Sequence, residues 1–206
     1  MLLCNVGNTN ANFFDDGKIS SMDIANFMSY VPKEKVYIIN VNESVKDKIS
    51  SNSNFIDLEP YFELECDYVG LGVDRIANCY AISDGAIVDA GSAITIDIMY
   101  QGVHLGGAIL PGLSFLQKAY SSISPRLNVG LNTQISLDSF PQNTLNAVSY
   151  GTILPIVLIV EYMSKGKKIF FTGGDGEFFI KFFDKAIYDK TASFRGMLKI
   201  IKEKGL

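Results

Sequence analysis

A surplus of positive charge is the first thing this sequence lacks. Among its 206 residues, 18 Lys and Arg are set against 22 Asp and Glu, a net charge of −4. Clustered cations are what hold a phosphate backbone, so nucleic acid is a poor partner class. Long apolar runs are missing too. The longest, Ile153–Val160, contains Pro155 and falls far short of the roughly 18 residues needed to span a bilayer, so no membrane partner is expected. The first cation is Lys18, so the opening residues carry no basic region of a secretory signal, and a cytoplasmic location is expected. Cysteine is scarce and odd in number. Cys4, Cys66 and Cys79 are scattered, which argues against a disulfide framework. The sole histidine, His104, cannot build a multi-histidine zinc site and forms no recognisable motif with a nearby cysteine. Its simplest reading is a strand residue.

What is present suffices for a core. The chain is 48% hydrophobic and 19% charged, which excludes disorder throughout. Its length fits one large or two small domains. Two segments share a plan without sharing letters: Leu2–Thr9 and Ala86–Ala93. Each is an apolar strand run, a polar residue, a small residue, a glycine and then a hydroxyl. Each leads into a further strand-like run, Ala11–Phe14 or Ile94–Tyr100. This recurrence suggests a duplicated domain, with boundaries at 1–84 and 85–206.

In the first half, Asp15-Asp16-Gly17 is a hairpin signal, Val36–Val41 reads as a buried strand, and Asp74–Ser83 reads as a helix. In the second, strands are expected at Ala86–Ala90, Ile94–Tyr100, Val103–Ile109 and Lys168–Phe171. A helix should follow Gly112, and Thr144 should open a long apolar helix that Pro155 kinks or ends. The tail Arg195–Lys204 is helical, with Met197, Leu198 and Ile201 inward; Phe13, Phe14, Phe170 and Phe171 are core. The outcome is an α/β protein of two domains with a cleft between them, where a ligand is the default expectation.

Four motifs carry chemistry. Asn5-Val6-Gly7-Asn8-Thr9 is a strand-to-strand turn whose glycine lets backbone N–H groups approach an anion. An ordinary Gly-Asn hairpin explains it equally well. The second turn, Asp89-Ala90-Gly91-Ser92, shifts the balance, because two such loops can grip a triphosphate from both ends. Thr172-Gly173-Gly174-Asp175 could admit a purine or ribose, although such a turn is also common between strand and helix. Gly72-Val73-Asp74-Arg75 puts a carboxylate and a guanidinium at a helix entrance. The helix dipole there favours an ionised Asp74, which can accept a proton from an alcohol, and Arg75 can hold an anionic group. Alone, this segment reads as a helix-start Asp beside a surface Arg.

Taken together, the motifs resemble those of the type III pantothenate kinases, within the superfamily of acetate and sugar kinases, heat-shock chaperone ATPases and actin. The family pattern Asp-x-Gly-Asn-Thr is matched by Asn5–Thr9 except at its first position, and Gly-x-Asp-Arg by Gly72–Arg75. Asp-Ala-Gly-Thr-Ala-x-Thr-x-Asp is matched by Asp89–Asp97 with Ser92 for Thr, and Gly-Gly-x-Ile-x-Pro-Gly by Gly106–Gly112. Asn143-Thr144 and Thr172–Gly174 complete the series in the same order. The resemblance implies two tandem ribonuclease H-like domains with mixed β-sheets flanked by helices, as in actin-like ATPases. It implies ATP-dependent phosphorylation of pantothenate to 4'-phosphopantothenate, the first step of coenzyme A biosynthesis, by a homodimer using Mg²⁺ and K⁺ or NH₄⁺. By position, Asp74 is the general base, and Tyr68, Gly72, Val73, Arg75 and Thr144 line the pantothenate pocket with it. Asn5, Val6, Gly7, Asn8, Thr9, Asn10, Ala11, Asn12 and Ser92 contact ATP, and Asp89 binds the monovalent cation.

The sequence departs from the pattern at three points. Asn5 replaces an Asp that helps to orient Mg²⁺, and losing its charge should weaken metal affinity by about 10–100-fold. This substitution keeps open a second reading, a weak or inactive regulatory relative of the same fold. Ser92 retains the hydroxyl of the usual Thr. The segment before Gly72 is short, so Tyr68 fits a half-buried aromatic as well as a pocket residue. Another small-molecule kinase on this scaffold is a third reading.

Overall fold

The computed structural model describes Met1 to Leu206 and divides into two compact units. The first comprises Met1–Ser83, Met99–Gly106 and Thr191–Leu206, and the second Asp84–Ile98 and Gly107–Lys190. Relative to a single cut after residue 84, two later segments pack with the first unit.

The first unit is built on β1 (Leu2–Val6), β2 (Asn10–Asp15), β3 (Lys18–Asp23), β4 (Val36–Asn40) and β5 (Phe55–Asp57). Their order is β3-β2-β1-β4-β5, with β2 antiparallel to β1 and β3, and β4 parallel to β1 and β5. Asp16 and Gly17 adopt left-handed φ values of 44° and 83°, so the expected hairpin turn joins β2 to β3. Strand periodicity splits the apolar residues between two faces. Cys4, Val6, Val36 and Ile38 pack with Phe27 of α1 (Ile24–Ser29) and Ile49 of α2 (Lys46–Ser50). Leu3 and Ile39 lie in the other cluster, with α3 (Val73–Ala81) and a C-terminal helix, Ala192–Lys204. A short strand, β6 (Glu65–Cys66), also belongs to this unit.

The second unit repeats the plan. It holds β7 (Gly85–Ala90), the larger parts of β8 (Ala93–Tyr100) and β9 (Val103–Pro111), then α4 (Leu113–Ile123), α5 (Thr144–Ser164), β10 (Ile169–Thr172), α6 (Gly176–Phe179) and β11 (Ile187–Tyr188). The order β9-β8-β7-β10-β11 reproduces β3-β2-β1-β4-β5 strand for strand, with β10 parallel to β7 and β11. Val88 and Ala90, Ile94 and Ile96, Phe171, and the α5 residues Ile153, Ile156, Val157 and Val160 form one core. These are mixed sheets flanked by helices, the architecture the resemblance implies.

Three expectations need revision. Pro155 does not end the apolar helix, because α5 continues to Ser164. Proline removes the bond to the carbonyl four residues earlier, here Gly151, and both residues lie on the exposed face where water can satisfy that carbonyl. The uninterrupted helix is long and apolar enough to cross a membrane, although 44% of its most apolar window is buried within the protein. The tail helix, α7 (Ala192–Lys204), starts earlier than expected and turns Leu198 outward at 38% exposure, leaving Ile200 to join Met197 and Ile201 inside. Phe13 and Phe171 are buried, whereas Phe14 is half-buried and stacks on Phe194 at 5.2 Å, and Phe170 is half-buried beside Lys168.

The approach of α7 to α3 is set by Gly196. A Cβ there would strike the backbone carbonyl of Ala77, so no larger residue fits without separating the helices. Gly196→Ala should therefore cost about 1–3 kcal/mol of unfolding free energy, as overpacked contacts do. An unchanged midpoint in urea unfolding would show that the helices slide apart freely.

Candidate functional site

The first unit contributes two groups of candidate residues. One is the turn between β1 and β2. Cross-strand pairing sets Asn5 opposite Asn12 and Val6 opposite Ala11, leaving Gly7, Asn8 and Thr9 at the bend. The Gly7 N–H donates to the Asn10 carbonyl at 2.9 Å, so it closes the turn instead of facing an anion. Val6 and Ala11 are fully buried, and only their backbones can meet a ligand. Asn8, Thr9 and Asn10 are exposed. Asn5 donates through Nδ2 to Ser193 Oγ of α7 at 3.2 Å.

Sequence reasoning missed Asn42. Its buried amide donates to the carbonyls of Gly7 and Asn8, both at 3.3 Å, while its Oδ1 accepts from Ser44 N–H and Ser44 Oγ at 3.0 and 2.6 Å. Asn42 is thus a brace beneath the turn. The signal was the Asn40-x-Asn42 pair at the end of a buried strand, where polar side chains need a structural partner.

The other group sits at the entrance to α3. Gly72 is the N-cap and Asp74 lies in the first turn. Asp74 Oδ1 accepts the Arg75 N–H at 2.8 Å, so the carboxylate folds back over the helix N-terminus, where N–H dipoles favour negative charge. Gly72 makes room for this, since a Cβ there would lie 2.8 Å from Asp74 Oδ1. Arg75 is not a surface residue; it is 4% exposed, and its guanidinium carbon lies 4.9 Å from the Tyr68 ring centre. Such stacking orients a guanidinium. Tyr68 itself is exposed at 37%. Val73 points into the α3–α7 core, so its expected place in a pocket can only be a backbone one.

The second unit gathers three loops around Asp89. This residue lies near the end of β7, half-buried. Gly173, with φ of 80°, approaches so closely that a Cβ there would lie 2.5 Å from both Asp89 Oδ1 and the Ala90 carbonyl. The Asp175 N–H donates to that carbonyl at 2.9 Å, and the Tyr188 hydroxyl donates to the Gly173 carbonyl at 3.1 Å. Gly91 N–H donates to the Ala93 carbonyl and Gly112 N–H to the Ser92 carbonyl, both at 3.0 Å, which fixes the loop carrying Ser92. Burial raises the Asp175 pKa. Burial also raises that of Tyr188, helped by Glu177 and Asp89. Thr144 opens α5 behind an Asn143 cap and lines a cavity of about 500 Å³ with Tyr120, Leu127 and Pro141. Tyr68, Gly72, Asp74 and Arg75 therefore come together in one unit, whereas Asp89, Ser92 and Thr144 belong to the other.

The sequence also matches known proteins. Residues 25–166 fit the family model of type III pantothenate kinase. A Campylobacter jejuni protein named type III pantothenate kinase is 55% identical over 203 residues, covering 98% of this chain and 97% of the relative. A crystal structure from the same species, under the provisional name of a conserved Baf family transcriptional activator, is 53% identical with a TM-score of 0.92 and covers 100% of this chain and 99% of that one. MreB 5 of Spiroplasma citri, 10% identical with a TM-score of 0.53, shares the fold over 100% of this chain and 98% of its own. The fold is that of the actin-like ATPases and sugar kinases, and the chain belongs to the type III pantothenate kinase family.

Proposed function

We infer that this protein phosphorylates pantothenate with ATP, the opening reaction of coenzyme A biosynthesis. The observation that carries the reading is the Asp74 carboxylate held at the α3 entrance by the Arg75 backbone N–H, with the Arg75 side chain stacked on Tyr68, in a chain that is a family member over its whole length. Pantothenate offers a primary hydroxyl and a carboxylate. Arg75, stacked on Tyr68, suits the carboxylate. Asp74 suits the hydroxyl. Attack of the hydroxyl oxygen on the γ-phosphorus forms the new P–O bond, the bond to ADP breaks, and the hydroxyl proton passes to the Asp74 carboxylate. Phosphoryl transfer asks a protein chiefly for positioning and charge neutralisation, and here the helix N-terminus fixes the acceptor before substrate arrives.

The turn over Asn5–Asn12, braced by Asn42, and the Ser92 loop, braced by Gly112, are the proposed ATP contacts. The surroundings of Asp89 fit a monovalent cation: the Oδ1 atom and the Ala90 carbonyl converge beside Gly173, and hard cations take oxygen donors. K⁺ or NH₄⁺ would be held there. Mg²⁺ carried with the nucleotide would neutralise the phosphates. Asn5 offers it only a neutral oxygen, so the phosphates themselves dominate its hold. Thr144 is a further proposed pantothenate contact. Exposed Phe115 and Ile123 on α4, with Leu158 and Tyr162 on α5, support a homodimer. A cytoplasmic location fits a coenzyme biosynthetic kinase.

A coupled assay tests the reading. ADP release should require pantothenate when Mg²⁺ and K⁺ are supplied, and pantothenate-independent release would remove it. In the same assay Asn5→Asp should raise turnover at limiting Mg²⁺, because a carboxylate adds charge and can accept from the Ser193 hydroxyl in place of the hydrogen bond that Asn5 donates to it. No gain would take Asn5 out of the metal's surroundings. Gly72→Ala should lower turnover by about tenfold or more, since displacing the Asp74 carboxylate spoils its geometry. Wild-type turnover in that variant would contradict the role assigned to the fold-back.

A further inference from the structure

His104 forms no sequence motif with a cysteine, yet the structure brings it to Cys66. Strand β6 pairs in parallel with β9 so that Glu65 faces Val103 and Cys66 faces His104. Directly paired residues project to one side of a sheet, which brings Cys66 Sγ to 3.0 Å from His104 Nδ1. The sulfur also accepts the Tyr68 N–H at 3.2 Å. The imidazole is 4% exposed and meets the Tyr68 ring edge-on, with centroids 6.0 Å apart. Both residues line a cavity of about 390 Å³ in the first unit, together with Glu65, Asp67, Tyr68 and Leu105. A thiol beside an imidazole and a backbone donor is the arrangement that activates a cysteine: the imidazole takes the proton and the N–H supports the thiolate. The other two cysteines are buried, and burial pushes the Cys4 thiol well above its ordinary range.

We propose that Cys66, paired with His104, is a reversible thiol-modification site that takes small cationic disulfides and thereby controls access to the pantothenate site. The chemistry is thiol–disulfide exchange. The Cys66 proton moves to His104, the thiolate sulfur attacks one sulfur of the disulfide, a new S–S bond forms, and the old one breaks. The other half departs as a thiolate and takes the proton back from the imidazolium. The Glu65 and Asp67 carboxylates at the cavity favour a cationic reagent over an anionic one. The adduct would occupy the space beside Tyr68, whose ring supports Arg75. This control rests on the reading of Arg75 and Tyr68 as pantothenate contacts; the thiol chemistry does not.

Intact-protein mass spectrometry after exposure of the folded chain to cystamine, and separately to oxidised glutathione, decides the chemistry without reference to kinase activity. One half-cystamine should add at Cys66, be removed by dithiothreitol, and be absent in Cys66→Ser. The reaction should run about tenfold or more faster than that of free cysteine at the same pH, and faster than with oxidised glutathione. His104→Gln should abolish the advantage over free cysteine. Adduct formation at Cys4 or Cys79 instead, or a rate no greater than that of free cysteine, overturns the site. The adduct should also raise the KM for pantothenate in wild type, while Cys66→Ser keeps its KM in cystamine; an unchanged KM in the adduct overturns the control. Failure of the unmodified protein to use pantothenate would count against the proposed function, and the mass spectra would still decide the thiol site.

Discussion

The first unit depends on how closely α7 lies against α3. Gly196 lets the two backbones meet at Ala77, and Val73, Met197, Ile200 and Ile201 fill the remaining interface. That contact fixes the helix whose first turn carries Asp74 and Arg75. The same α7 reaches Asn5 through Ser193 and stacks Phe194 on Phe14 of β2. A segment from the far end of the chain thus positions both the candidate proton acceptor and the base of the candidate phosphate turn. Close packing transmits such constraints because protein interiors hold little slack.

The two units show how one strand order is put to different uses. In both, a polar residue stands one position before the end of a strand, Asn5 in β1 and Asp89 in β7, and a glycine-containing turn leads into the neighbouring strand. In the first, the turn is braced from below by Asn42. In the second, the bend holds Asp89 against Gly173, where carboxylate and carbonyl oxygens converge. Glycine at positions 72 and 173 serves the same end by different means: each leaves space that a carboxylate oxygen occupies.

Much of this was legible from the sequence, because the informative signals are local. Glycine-bearing turns after apolar strand runs marked the loops, and Gly72–Arg75 marked the helix entrance. The order of six motifs pointed to the family. What stayed hidden is set by tertiary pairing. Taken alone, the Gly72–Arg75 segment gives Arg75 as a surface cation, and only the resemblance puts it in a pocket; its burial and its stacking on Tyr68 have no local signal. Asn42 gave no motif, and its role follows only from the carbonyls it reaches. Cys66 and His104 lie 38 positions apart and meet through a strand of two residues, too short to leave a periodic signal. Pro155 does not end α5 for a physical reason: a helix tolerates proline where the carbonyl it strands faces water.

The central claim is that Asp74 acts on the proton of the substrate hydroxyl and does not merely hold the substrate. Calorimetric binding of pantothenate to Asp74→Asn, set beside its turnover, separates the two roles. The account predicts a dissociation constant within a few-fold of wild type and turnover lower by about 10²–10⁴-fold, the range of lost general-base catalysis. Turnover near the wild-type value, or loss of binding in proportion to activity, would contradict it.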